Sequence, residues 1–278
     1  VVPLGDFGRV LAEFWADGPH SETPPGHWNV MANLVADAPG SPRRWRGQGP
    51  SLSPLEWDVK VYLALNGALH DAAIAAWEVK RATSTARPIS LVRYAGGASL
   101  LPEVPGLLEV VTAQSSAPGQ RHQGLVPGEL AVRAWRGEPA SPADTVAGVG
   151  WRALATWVPY QRKSFVTPAF PGFISGHSTF SRAAAEVLTE VTGSPYFPGG
   201  LASFTAPADH FLTFERGPSV TVELQWATYA DAADQAGQSR RWGGIHLEPD
   251  DLQGRKVGWA VGRKAVARAR WYVEGLPP

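Results

Sequence analysis

Three groups of residues have types and spacings suited to chemistry on a small charged molecule. Lys80 and Arg87 stand in the order K-x6-R-P, and Ser175-Gly176-His177 precedes a run of helix formers. Ser239-Arg240 is followed by His246 and Asp250 as S-R-x5-H-x3-D. The segment Thr167 to Arg182, TPAFPGFISGHSTFSR, has the layout of a loop feeding a helix N-terminus. There, unbonded N–H groups and the positive end of the helix dipole favour an anion. Gly176 permits close backbone approach, Ser175 offers a hydroxyl, and His177 can move a proton near neutral pH. Taken alone, the same stretch is also an ordinary helix start with a capping serine and an incidental histidine. Lys80 falls on an apparent apolar helix stripe, where a lysine needs an anionic partner or must snorkel from the helix end. Weaker signals are His27, read as a packed or loop residue, and His70-Asp71, with His70 read as a packed or supporting histidine. Gly47-Gln48-Gly49 lacks the preceding strand that would make it a phosphate loop.

These groups require elements to hold them. Gly5 to Trp15 has helical apolar spacing, and Thr23-Pro24-Pro25 predicts a capped start for a short helix over His27 to Val35. Ser53-Pro54-Leu55-Glu56 predicts a capping box opening a helix from Pro54 to about Arg81. Its expected buried stripe is Leu55, Val59, Tyr62, Leu63, Asn66, His70, Ala73, Trp77 and Lys80. The residue before Pro88 is pushed out of the α region, so the helix stops short of Arg87. Gly96 to Gly150 is turn-rich, with room for short elements such as Leu130 to Trp135. Val149 to Trp157 is predicted as a short amphipathic helix. Ala183 to Leu188, Ser219 to Gln238 and Leu252 to Tyr272 are predicted helical, the last capped by Asp250 or Asp251. On that last helix, Gly254, Gly258 and Gly262 recur every fourth residue and make a smooth face for close packing.

The bulk properties narrow the partners. The 278 residues carry 25 basic and 25 acidic side chains with no charge run, which gives no footprint for nucleic acid or an anionic membrane surface. No apolar run reaches the roughly 20 residues of a membrane-spanning helix. The absence of cysteine excludes disulfides, thiolate metal sites and cysteine nucleophiles. With 25 prolines and 30 glycines lying mostly between helix-like segments, the expectation is an all-α protein with long ordered loops. The chain opens on Val1-Val2-Pro3, which we read as residues 1–278 forming one catalytic helical domain from the C-terminal part of a longer chain.

Taken in order, the three motifs resemble the tripartite signature shared by vanadium-dependent haloperoxidases and type-2 phosphatidic acid phosphatases. The phrases EFWADGPHSETPPGHW, SGHSTFSRAAAEVLT, YFPGG and WGGIH are similar to the bacterial haloperoxidase branch. The resemblance implies a helical bundle that holds vanadate, or phosphate in the same cage. Lys80, Arg87 and Arg240 would supply charge, Ser175 and Gly176 hydrogen bonds, and His246 the axial bond to the metal. Lys80 is also implied to be catalytic, by polarising bound peroxide, with His177 as acid/base residue. Trp77 and Phe170 match aromatic residues that flank the halide, and phenylalanine rather than histidine at 170 makes chloride oxidation conceivable. Hydrogen peroxide, halide and a small organic substrate are the implied partners, along with homo-oligomerisation and a secreted or periplasmic location. Ile174 departs from the family pattern, where proline often precedes the serine. The alternative is a soluble acid phosphatase in which His246 becomes phosphorylated. An inactive anion-binding scaffold is disfavoured by the complete cage. A zinc hydrolase through His177 and His246 lacks a third ligand at suitable spacing.

Overall fold

The structure is a computed structural model and describes residues 1–16, 21–98 and 100–275. Residues 17–20 of the EFWADGPHSETPPGHW phrase therefore lie outside the described residues. Seven α-helices carry the fold among the described residues: α1 (Leu4–Phe14), α2 (Pro24–Asp37), α3 (Pro54–Thr83), α4 (Pro88–Gly97), α5 (Gly176–Thr192), α6 (Tyr229–Trp242) and α7 (Glu248–Glu274). Two small antiparallel sheets sit among them. One orders β1 (Leu108–Val110), β2 (Leu130–Trp135) and β3 (Val149–Ala153). The other pairs β4 (Ala202–Ala206) with β5 (Val222–Trp226), with Phe204 opposite Leu224. The architecture is therefore a helical bundle with added sheet rather than all-α. No helix among the described residues is long and apolar enough to cross a membrane.

Local chemistry sets most helix starts. Thr23 accepts the Gly26 N–H at 3.3 Å with prolines in the first turn of α2. Ser53 accepts the Glu56 N–H at 3.2 Å, but the Glu56 carboxylate turns to Lys60, so the reciprocal half of the expected box is not made. Two expected helices are wholly or partly strand. In β5, buried Val222, Leu224 and Trp226 alternate with exposed Glu223 and Gln225, a period of two that a helix cannot satisfy. Only from Tyr229 does that segment become helical. Val149 to Trp157 likewise pairs with β2 before a single 3-10 turn at Leu154–Thr156. Helix α4, opened by Pro88, is absent from the sequence reading.

Helix α5 runs through the middle of the bundle and packs against α2, α3, α6 and α7. The glycine ladder of α7 meets it as expected. A Cβ on Gly254 would lie 2.8 Å from the Ser175 carbonyl oxygen, and one on Gly262 would lie 2.7 Å from that of Ala183. Helix α3 corrects the predicted stripe. Trp57, Val61, Ala64, Leu65, Ala68, Leu69, Ala72 and Ala76 are buried, while Leu55, Val59 and Leu63 face outward and the His70 side chain is 73% exposed. The small residues point inward because α3 approaches α5 and α7 closely, so side-chain volume rather than hydrophobicity chose the face. Only Lys80 of the predicted chemistry belongs to the truly buried face.

Candidate active site

A cavity of about 360 Å³ opens where α3, α5, α6 and the start of α7 converge, and its lining includes Arg87, Gly176, His177, Arg240 and His246. Each arrives from a different turn or helix end. Lys80 lies in the last turn of α3, Arg87 caps α4, and Ser175 caps α5. Arg240 lies in the last turn of α6, and His246 precedes α7. The two histidine-bearing segments are tied directly, because the Ser175 N–H donates to the Asp250 carbonyl at 2.9 Å.

His246 is 6% exposed and its protonation pattern is legible. Nδ1 donates to Asp250 Oδ2 at 3.0 Å, while Nε2 accepts from Arg87 Nη1 at 3.0 Å. That assignment follows from the partners, since an arginine can only donate. Asp250 Oδ2 also accepts the Leu247 N–H at 3.0 Å, so the carboxylate is fixed as well. Burial, together with Arg87 and Lys80, pushes the His246 pKa down to about 4, although Asp250 opposes the shift. The imidazole is thus neutral at pH 7, with its Nε2 lone pair taken up by Arg87 Nη1.

The cations are buried more deeply than their charge would normally allow. Lys80 is 1% exposed and donates to the carbonyls of Pro171 at 2.8 Å and Gly172 at 3.1 Å. Burial and the neighbouring Arg87 push its pKa down to about 7. Arg87 donates through Nε to the Phe170 carbonyl at 2.9 Å and through Nη1 to that of Ile245 at 2.9 Å. Its Nη2 is buried with no hydrogen-bond partner among the described residues, and burial lowers its pKa to about 10. Arg240, 2% exposed, is anchored through Nε on Ser239 and through Nη2 on the Ala12 carbonyl.

At the head of α5, Ser175 is fully buried and its Oγ accepts the Ser178 N–H at 3.3 Å, which leaves its own hydrogen uncommitted by that bond. Gly176 faces the cavity, where a Cβ would touch the Trp77 and Phe180 rings. His177 Nε2 donates to the Trp15 carbonyl at 2.7 Å, so its Nδ1 carries the lone pair. Burial, then Arg240, holds its pKa well below the ordinary histidine value. Trp77 and Phe170 have ring centres 5.1 Å apart and flank Lys80 Nζ at 5.8 and 5.2 Å, both partly exposed.

Of the predicted residues, Trp77, Arg87, Phe170, Gly176, His177, Arg240 and His246 line one cavity, whereas Lys80 and Ser175 are buried and outside its lining, and the weaker candidates do not join them. His70 is on the outer surface, Gly47 packs at the far end of α5 against Thr192 and Gly193, and His27 is buried against Phe14 and Trp15. The sequence reading missed Gln161 and Arg162, which also line the cavity and sit in a stretch without any motif. Lys80 and Arg87 beside a neutral imidazole, with Arg240 on the same cavity, suit a multiply charged oxyanion. The stranded Arg87 Nη2 is a donor such an anion would satisfy.

A family model, the VCPO second helical-bundle domain, matches residues 60–275. A holo-type bacterial vanadium-dependent chloroperoxidase is similar in fold, with a TM-score of 0.66 at 18% identity over 97% of this chain and 45% of that chain. An apo-type bacterial vanadium-dependent chloroperoxidase gives 0.68 at 19% identity, covering 98% of this chain and 46% of that one. A bacterial vanadium-dependent iodoperoxidase gives 0.55 at 22% identity, covering 94% and 43%. The chain spans less than half the length of each of these structures. No curated protein matches it.

Proposed function

The chain belongs to the vanadium haloperoxidase family through its VCPO second helical-bundle domain, and we propose on that premise that it is a vanadate-dependent haloperoxidase. The reaction would oxidise bromide, and chloride as the harder case, with hydrogen peroxide to a hypohalous-acid equivalent. The observation that carries this reading is the buried Arg87 Nη2, without a partner among the described residues, beside the neutral imidazole of His246.

Lys80, Arg87 and Arg240 would neutralise the oxyanion, and the first-turn N–H of Gly176 with the Ser175 hydroxyl would complete its hydrogen bonds. His246 would hold it through Nε2, while Asp250 keeps the proton on Nδ1 and fixes the ring. Vanadate, when bound, supplies a Lewis acid that activates peroxide toward halide attack. His177, neutral and with its Nδ1 lone pair available, would take a proton from hydrogen peroxide and return it to the departing oxygen. Trp77 and Phe170 would exclude water beside Lys80 and flank the halide.

The soluble acid phosphatase is the second reading, favoured by the same Nε2 lone pair, which could equally attack a phosphoryl group. Purified protein with and without orthovanadate separates the two, assayed for peroxide-dependent bromination of a phenol dye and for phosphomonoester hydrolysis. Vanadate-dependent bromination is the expected result. Phosphatase activity inhibited by vanadate, with no bromination, would overturn it.

A further inference from the structure

The cavity has a second polar pole that the oxyanion cage does not use. Gln161 is 6% exposed, yet its buried side-chain Nε2 has no hydrogen-bond partner among the described residues. The neighbouring Arg162 has a buried Nε without a partner and no carboxylate within ion-pair distance among the described residues. Its guanidinium instead lies over Phe214, 5.5 Å from the ring centre. Both residues line the same cavity as His246. A buried amide nitrogen and a buried guanidinium nitrogen, each without a partner among the described residues, are costly to maintain without a ligand.

The rest of the cavity indicates what else that ligand carries. Its walls are largely aromatic, with Phe165, Phe170, Phe180 and Phe214 facing the space together with Trp77. At about 360 Å³ it falls in the size range of small-molecule sites, roughly 300–1,000 Å³. A tetrahedral oxyanion at the His246 end fills only part of this volume, and halide adds little. Arg162 and Phe214 also border a second cavity of about 380 Å³ lined by Phe204 and Phe211.

We propose that Gln161 and Arg162 form a carboxylate subsite that holds a small aromatic acid in the cavity, its ring between the aromatic walls and its carboxylate on the guanidinium. The substrate-class assignment rests on the haloperoxidase reading. In that reading, hydrogen peroxide is the oxidant and the held ring is the acceptor. A ring carbon bonds to the halogen of the hypohalous acid as the O–X bond breaks. The ring C–H proton leaves, and the hydroxide released takes up that proton to become water. Peroxide, halide, one proton and the arene thus give the halogenated arene and two waters. Binding close to the oxidised halide would make halogenation regioselective, instead of dependent on a freely diffusing oxidant.

The test is calorimetric titration of the protein, with the cage saturated by orthovanadate, using 4-hydroxybenzoate and its uncharged counterpart 4-hydroxybenzamide. The acid should bind at least about tenfold more tightly than the amide, as a charge-assisted pair requires. Arg162→Gln should erase that difference, Arg162→Lys should keep most of it, and Gln161→Leu should weaken the acid selectively. Unchanged melting temperatures would exclude misfolding of the variants. Equal binding of acid and amide to the wild type, or acid binding indifferent to Arg162→Gln, overturns the subsite. So does acid binding that disappears with Arg87→Ala and survives Arg162→Gln, since the carboxylate would then sit in the cage. If selective acid binding persists but no bromination occurs, the subsite stands and the haloperoxidase reading fails.

Discussion

Arg87 Nη1 lies 3.0 Å from His246 Nε2 and donates into the lone pair on which the proposed oxyanion bond depends. The relation fixes a tautomer, with the proton on Nδ1 facing Asp250. His246 should therefore give the Nδ1–H pattern in nitrogen-15 spectra of its ring and remain neutral from pH 7 to about 5. Its pKa of about 4 lies below the ordinary 6.5, so the unfolded chain binds the proton first. Stability from this group is full above about pH 6.5 and declines as pH falls toward 4. A midpoint near 6.5 would contradict the assigned burial and partners.

Asp250 has two tasks, orienting His246 and accepting the Leu247 N–H in the first turn of α7. Asp250→Asn should weaken orthovanadate binding by roughly 10–100-fold, the usual consequence of losing a partner that orients a ligand residue. Equilibrium dialysis measures this directly, and unaltered affinity would remove Asp250 from the site.

Lys80 has a pKa of about 7 against an ordinary 10.5. Between those values the unfolded chain carries a proton that the folded protein does not, so stability declines as pH falls from about 10.5 toward 7. A bound oxyanion should restore the charge. Orthophosphate binding at pH 9 is expected to take up close to one more proton in wild type than in Lys80→Met, read by calorimetry in buffers of different ionisation enthalpy. Equal uptake would place the anion away from Lys80.

The two histidines should fail differently. His246→Ala is expected to abolish orthovanadate binding, whereas His177→Ala should retain binding within about tenfold and lose roughly 10²–10⁴ of bromination turnover, the scale of a general acid–base residue. Equal loss of binding in both variants would argue against separate roles.

Gly262→Ala introduces a Cβ 2.7 Å from the Ala183 carbonyl oxygen and 3.0 Å from its Cα. Overpacking between two backbones costs about 1–3 kcal/mol. Each kcal/mol lowers the melting temperature by about 2–4 °C in a protein near this size. An unchanged melting temperature would show that α7 can move away freely.

The candidate site residues stand out in the sequence because the chemistry proposed for them imposes both residue type and spacing. Three cations, two histidines and a glycine at a helix head are restricted by charge and geometry, and few substitutes preserve both. The glycine ladder was legible for a similar reason, as backbone-to-backbone approach leaves no room for a side chain. The buried face of α3 was not legible. Leu55, Val59 and Leu63 make a convincing apolar stripe, but alanines Ala64, Ala68, Ala72 and Ala76 are what close packing required. Strand β5 is not distinguishable from helix by spacing alone, because Val222 and Trp226, four residues apart, also fit helical spacing. Gln161 and Arg162 belong to no motif and are noticed only because a buried side-chain nitrogen of each lacks a partner among the described residues.

The contacts between motif segments bridge long stretches of chain. Lys80 meets the Pro171 carbonyl across 91 residues, and Arg87 meets His246 across 159. The packing of α3 on α5 and α7 spans stretches of similar length, so these contacts form together with the bundle. The proposed oxyanion site can then exist only in chains whose bundle has assembled. A ligand bound there should slow unfolding while leaving the folding rate almost unchanged, because the transition state lacks its binding site. Occupancy of the cage would thus act as a kinetic lock on the finished molecule.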